Sequence, residues 1–289
     1  RVADHRRQRR PRRRPSQPLV TVPDLPADPV ALLDLARPLA QEVAAHLVAG
    51  LDRPGPQVTA KSTPTDLVTE LDTWAERHIT ERLLAVRPHD GVEGEEGAAL
   101  VGTSGITWCV DPIDGTVNFV HGLPGFCVSI AAQVDGRSIA GVVVSPLHHD
   151  TFEATLGGGA TRNARAIRCS TPESVARSVV GTGFGYDPVR RRRQAEVLVR
   201  VIDRIADIRR GGAAAVDLCS VACGRLDGYW EVGLNAWDHA AGGLIATEAG
   251  ARCEGLGGAV ASERFILAAP PATFDALAEL LEAAGAADI

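Results

Sequence analysis

Two carboxylates three residues apart, Asp111 and Asp114, directly follow the apolar run Trp108-Cys109-Val110 and are followed at once by Gly115 and Thr116. Pro112 between them lacks an N–H, and Gly115 tolerates any backbone angle, so the chain is expected to turn here beyond a buried strand. That turn aims both carboxylates at one point. Paired there, they repel each other unless a proton or a cation lies between them. A divalent cation is the reading taken here. Two more acidic residues then stand out as candidate ligands: Glu95 in the glycine-rich stretch 91–97, and Asp238 directly after Trp237. Like the first pair, they sit at expected strand ends or helix starts.

The surrounding patterns supply the elements that must carry these groups. From Asp28 an apolar stripe (Val30, Leu32, Leu33, Leu35, Leu39, Val43, Leu47, Val48) predicts a helix, broken by Pro54-Gly55-Pro56. Residues 61–72 lead into a second helix that runs to about Val86, with Thr65 or Asp66 as its expected cap. Residues 91–97 read as an acidic loop and 107–111 as a strand. Residues 126–134 and 138–145 form an antiparallel pair turning at Asp135-Gly136. Residues 151–156 extend that sheet, and Gly157-Gly158-Gly159 ends it. Further strands are expected over 178–182 and 226–231, and helices over 189–206, 211–224, 237–249 and 272–283. The arginines at 190–193 read as a solvated helix face. Helices first, then an antiparallel sheet, then alternation predict layered α/β sheets with helices between and outside them.

Composition narrows the class. At 289 residues and 45% hydrophobic, the chain can bury a large core. Mean hydropathy is near zero and no apolar run approaches a membrane span, so no membrane association is expected. The net charge is −6, but residues 1–15 alone carry eight Arg and one Asp, leaving −13 for the rest. An acidic body suits an anionic substrate only if bound cations invert the local field. Residues 1–27, rich in Arg and Pro and without an apolar stretch, read as a disordered arm rather than a secretion signal, and such an arm is the one feature that could contact nucleic acid. Six scattered cysteines with no CxxC pair fit reduced thiols and a cytoplasmic protein. Of 30 basic residues only Lys61 is a lysine, which fits either a need for a compact ammonium there or chance survival of one lysine in an arginine-biased chain.

With these residues quoted, the chain resembles the inositol monophosphatase family of magnesium-dependent, lithium-sensitive phosphatases. The resemblance rests on Asp111-Pro-Ile-Asp-Gly-Thr116, Trp237-Asp-His-Ala-Ala-Gly242, Gly94-Glu95-Glu96 and the Lys61–Thr69 segment. It extends over roughly residues 28–285, and Asn118-Phe119-Val120 and residues 181–186 look closest to the bacterial inositol-1-monophosphatase branch. It implies an α/β (α+β) sandwich of alternating α/β/α/β/α layers over residues 28–289, with lobes of about 28–175 and 176–289. It also implies two to three Mg²⁺ ions. Glu95, Asp111 and the Ile113 carbonyl would hold the first; Asp111, Asp114 and Asp238 the second; and a looser third would share Glu95 near Asp72. The nucleophile implied is a metal-activated water positioned by Thr116, with Asp72 accepting through the hydroxyl. The amides of Gly115 and Thr116 would face the phosphate, alongside Asp114. Glu231 would accept substrate hydroxyls, and Gly212, Ala213 and Ala214 would line the sugar side, although Ala213 stands where animal enzymes carry a hydroxyl. Lys61 would support the carboxylates from behind, Arg209 would form a structural ion pair, and His121 and His239 would be packing or surface residues.

The substrate implied is a small phosphorylated polyol, with inositol 1-phosphate first and histidinol phosphate, fructose 1,6-bisphosphate and 3′-phosphoadenosine 5′-phosphate as alternatives. A homodimer is expected from the family. A reading of another class also stands: some bacterial relatives act in transcription with RNA polymerase or RNA-associated complexes.

Overall fold

The computed structural model describes residues 25–51, 58–60 and 67–289. The arm through residue 24, Lys61 and the expected cap residues Thr65 and Asp66 lie outside the described residues. In chain order the elements are α1 (Pro29–Leu51), β1 (Val58–Ala60), β2 (Leu67–Thr69), α2 (Glu70–Val86), β3 (Gly91–Gly94), β4 (Ala99–Leu100), β5 (Thr107–Asp114), α3 (Thr116–Val120), β6 (Cys127–Val134), β7 (Arg137–Ser145), β8 (Asp150–Thr155), β9 (Gly159–Arg162) and β10 (Arg165–Ala166). They continue with β11 (Val179–Thr182), α4 (Pro188–Val201), β12 (Asp207–Arg209), α5 (Ala214–Ala222), β13 (Gly228–Glu231), α6 (Ala236–Glu248), β14 (Arg252–Glu254), β15 (Ile266–Ala269) and α7 (Phe274–Ala283). Among the described residues, no helix is long and apolar enough to cross a membrane.

Among the described residues the strands form an eight-stranded sheet in the order β10-β9-β8-β7-β6-β5-β3-β4, a five-stranded sheet in the order β12-β11-β13-β15-β14, and the pair β1-β2. Period-two alternation sorts the side chains of each sheet into two cores. Trp108, Val110, Val128, Ile130, Val142 and Val144 face α1 and α2. Their neighbours Cys109, Cys127, Ala131 and Val143 face α5 and α6, which share a core with Tyr229, Ile266 and Ala268 of the small sheet. On the far side, Trp230, Leu267 and Ala269 pack on α4 and α7 through Val197, Val201, Leu277 and Leu281. The result is the expected α/β/α/β/α sandwich. Small residues bring the middle layer close: a Cβ on Gly242 of α6 would stand 2.9 Å from Leu218 Cβ of α5.

Several local expectations are corrected. The first strand of the site does not stop at Asp111: β5 runs through the whole Asp-Pro-Ile-Asp sequence to Asp114. The acidic stretch 91–97 is a strand, β3, followed by a turn, not a loop throughout. Gly157 and Gly158 are a hairpin turn rather than an end, since β9 and β10 follow. The helix expected over 189–206 ends at Val201 and gives way to β12, which pairs parallel with β11. The cap of α2 is Thr69, whose hydroxyl accepts from Leu71 N–H at 3.1 Å.

Candidate active site

Asp111 and Asp114 end up on one face of β5 because the strand is bulged between them. Asp111 pairs with Ser129 and Asp114 with Cys127, so three residues of β5 are matched by two of β6. In a regular strand a spacing of three would put the two carboxylates on opposite faces; the extra residue restores the phase. The Ile113 side chain points into the core under α1 and α2. Its carbonyl accepts from the Thr116 hydroxyl at 3.0 Å. Gly115, with φ of 88°, makes the left-handed step from the strand into α3.

Glu95 reaches the pair through β3. That strand runs parallel to β5 with Gly94 opposite Val110, and Glu95 N–H donates to Val110 C=O at 3.3 Å. The following turn is pinned by Glu76 of α2, a buried carboxylate that accepts from Glu96 N–H at 2.6 Å and Ala98 N–H at 2.8 Å. A Cβ at position 94 would collide with that carboxylate, so the glycine of the Gly-Glu-Glu run is there to admit Glu76.

The other carboxylates are set by helix starts. Asp72 is the third residue of α2; its Oδ2 accepts from Thr69 N–H at 2.8 Å and from the Thr69 hydroxyl at 2.6 Å. Its Oδ1 faces the Thr116 hydroxyl at 3.2 Å. Asp238 is the third residue of α6 and accepts from Asn235 N–H at 2.6 Å. Asp114 reaches across the interior to the start of α5, where Oδ1 accepts from Ala214 N–H at 3.1 Å and Oδ2 from Ala215 N–H at 2.7 Å. Ala213 is the cap residue of α5 and has no side-chain oxygen; Asp114, a hundred residues upstream, does that work instead. Backbone N–H groups at helix starts favour anions, so each of these carboxylates is anchored on backbone.

Glu95, Asp111, Asp114 and Asp238 line one cleft of about 560 Å³, together with Gly115, Thr116, Gly212, Ala213, Ala214 and Glu231. Their mutual repulsion is visible in their protonation. Burial, then Glu95, Asp114 and Asp238, pushes the Asp111 carboxyl well above the usual carboxylate range. Burial with Asp114 and Glu95 does the same to Asp238. Asp114 is raised to about 7 by burial and Glu95 against the pull of the Ala214 and Ala215 amides. Among the described residues, no three His, Cys, Asp or Glu groups already close into a metal cage; Glu95 and Asp111 instead share a hydrogen bond. An all-oxygen set of crowded carboxylates beside the Ile113 carbonyl fits hard divalent cations, which take oxygen ligands and keep part of their water shell.

Glu231, at the end of β13, accepts a hydrogen bond from the buried Tyr229 hydroxyl two residues earlier on the same face. Burial raises Glu231 to about 7. Beside it stands a group that reading of the sequence missed. Asp217 of α5 is raised to about 8 by burial and by Asp114 and Glu231. Arg210 and Arg190 also line the cleft. The reading of residues 190–193 as a solvated face is therefore corrected at Arg190, and also at Arg191, whose Nε donates to Gly185 C=O at 3.0 Å. Arg209 does make an ion pair, with Asp207 at 2.6 Å. His239 is half-buried, and partial burial lowers its pKa.

The family model "Inositol monophosphatase family" matches residues 29–286. An inositol-1-monophosphatase of Mycobacterium leprae is 44% identical over 284 residues, covering 91% of this chain and 97% of its own. A protein of Pasteurella multocida named Nus factor SuhB is 44% identical over 219 residues, covering 74% of this chain and 82% of its own. Among solved structures, the extragenic suppressor protein suhB of Bartonella henselae superposes with a TM-score of 0.82 at 35% identity, covering 87% of this chain and 98% of its own.

Proposed function

The chain belongs to the inositol monophosphatase family of phosphoric monoester hydrolases, and from that premise we propose that it cleaves inositol 1-phosphate to myo-inositol and phosphate with Mg²⁺. The observation that carries this reading is the convergence of Glu95, Asp111, Asp114 and Asp238 on one cleft beside the Thr116–Asp72 pair. Two to three Mg²⁺ ions are assigned to it. Glu95, Asp111, the Ile113 carbonyl, Asp114 and Asp238 would hold them, and Lys61 would support the set from outside the described residues. When bound, Mg²⁺ lowers the pKa of a coordinated water and offsets charge on the phosphate and the departing alkoxide.

The chain's own residues do the rest. The Thr116 proton is directed to Asp72 and the Ile113 carbonyl. The hydroxyl's lone pair accepts the attacking water's proton as its own passes to Asp72, and the hydroxyl turns the water oxygen toward phosphorus. The amides of Gly115 and Thr116 face the phosphate. Because α3 has only five residues, they act as individual donors rather than through a helix dipole. Glu231, fixed by Tyr229, accepts a hydroxyl of the polyol, and Gly212, Ala213 and Ala214 form the wall beside it. As the ester P–O bond breaks, the alkoxide takes a proton from water and leaves as the alcohol.

Steady-state phosphate release with inositol 1-phosphate, histidinol phosphate, fructose 1,6-bisphosphate and 3′-phosphoadenosine 5′-phosphate at fixed Mg²⁺ tests the substrate. The highest kcat/KM is expected for inositol 1-phosphate, and a clear preference for histidinol phosphate sinks that choice. A second reading is favoured by the relative named Nus factor SuhB: a role in transcription that needs no hydrolysis, with the Arg-rich arm as a contact. Rescue of a gene-deletion phenotype by the hydrolysis-dead Asp114→Asn variant would favour it. A homodimer is proposed as well, and a solution mass measurement decides it.

A further inference from the structure

Ser129 lies in β6 with 1% of its surface exposed, and among the described residues its hydroxyl has no hydrogen-bond partner. The strand register says what surrounds it. On β5 it stands directly opposite Asp111, and on β7 directly opposite Val143. Residues paired in this way share one face of the sheet, with Cβ atoms about 5 Å apart. Along β6 the same face carries Cys127 and Ala131. Of these four neighbours, Val143 and Ala131 are apolar, and the Cys127 thiol is turned to Asp114 Oδ2 at 3.6 Å. Asp111 is the one carboxylate among them.

A buried hydroxyl left unpaired costs stability, whereas an apolar group of nearly the same shape does not. Asp111 has acceptor capacity to spare: Oδ1 takes the Ile113 N–H at 3.1 Å, and the carboxyl shares a hydrogen bond with Glu95. In the cation site assigned above, Glu95 and Asp111 are separate ligands, and Asp111 is ionised and shared between two ions. The bulge fixes its backbone, but the terminal torsion of an aspartate is broad, and a single amide is a weak hold on the carboxylate plane. A hydroxyl on the next strand can rotate to supply a second hold. Carboxylate ligands to metals are themselves hydrogen-bonded, and loss of such a supporting donor weakens metal binding.

We propose that Ser129 is a positioning residue for the cation site: its hydroxyl donates to the ionised Asp111 carboxylate and holds it in place as a ligand. This rests on the Mg²⁺ reading above and deepens it. The test uses the full chain and two variants, Ser129→Ala, which loses the hydroxyl, and Ser129→Thr, which keeps it. Calorimetric titration with MgCl₂ is expected to give about tenfold weaker binding for the Ala variant and near wild-type binding for the Thr variant. Urea midpoints supply a second reading. In EDTA the Ala variant should match or exceed wild type, because no hydrogen bond is lost; in saturating MgCl₂ it should fall below wild type. Should the Thr methyl prevent folding, Ser129→Cys, which keeps a weak donor, is expected to bind Mg²⁺ more tightly than the Ala variant and less tightly than wild type. An Ala variant that binds Mg²⁺ within about twofold of wild type, or whose midpoint is lowered equally in both media, overturns the assignment and leaves Ser129 a packing residue. Wild-type protein that takes up no Mg²⁺ overturns the cation reading itself, and the assignment falls with it.

Discussion

At the carboxylate end of the cleft, most acidic side chains are placed by backbone that their own short stretch of sequence dictates: a bulge for Asp111 and Asp114 and capping boxes for Asp72 and Asp238, while the turn at Glu95 is pinned by Glu76 of α2. At the polyol end, Arg190, Arg210, Asp217 and Glu231 come from four separate segments and meet only once the small sheet is stacked on α5 and α6. The first end is set largely by local backbone, with Asp114 also anchored on the start of α5 and the Glu95 turn on Glu76 of α2. The second can change its chemistry one side chain at a time, without disturbing any cap or strand. Turnover is therefore expected to depend on the first end and selectivity on the second.

The largest expected effect comes from Asp114→Asn, which should lower kcat by roughly 10³-fold with every phosphate ester, p-nitrophenyl phosphate included. A loss confined to polyol substrates in steady-state assays would break the division between the two ends.

Next comes stability. In the metal-free protein Asp217 and Glu231 are raised to about 8 and about 7 from ordinary values of 3.8 and 4.5. The fold therefore binds these protons more tightly than the unfolded chain does. That stabilisation is complete below about pH 4 and is lost as pH rises through 7 to 8. Urea unfolding in EDTA should show stability falling by on the order of a few kcal/mol between pH 5 and 8.5, with a shallower fall in Asp217→Asn.

A smaller effect is expected from Glu231→Gln: KM for inositol 1-phosphate should rise about tenfold while p-nitrophenyl phosphate kinetics change little, because only the polyol meets this residue. Smallest of all is Arg209→Ala. The Arg209–Asp207 pair is exposed, so the urea midpoint should hardly move. If Arg209→Ala raises KM for inositol 1-phosphate as much as Glu231→Gln does, the contrast between the surface pair and the cleft is wrong.

Legibility in the sequence follows the same line. Asp-Pro-Ile-Asp-Gly-Thr and Trp-Asp-x-Ala-Ala-Gly are readable because the backbone demands there are local and the residues contiguous. The layered fold is readable from the order of periodic segments, although β12, β14 and β15 are too short to announce themselves. Arg190 is hidden because a run of four arginines on a helix looks solvated. Which of them turns inward depends on how α4 docks, and that is set by Gln194 gripping the backbone at Gly185 and Val232. Asp217 is hidden among the small apolar residues of α5, and its partners lie on other strands. The cap of α5 by Asp114 spans a hundred positions, and no window of sequence contains both ends.

The bulge in β5 makes the spacing of Asp111 and Asp114 an arithmetic matter rather than a chemical one. Pro112 and Ile113 together stand opposite the single residue Val128. Gaining or losing one residue in that pair would swap the inward and outward sides of everything after it, sending Asp114 toward the aliphatic core under α1 and releasing the start of α5 with it. The family's most recognisable six residues are thus constrained in length before they are constrained in identity. Substitutions there degrade the site by degrees, whereas a change of frame removes it.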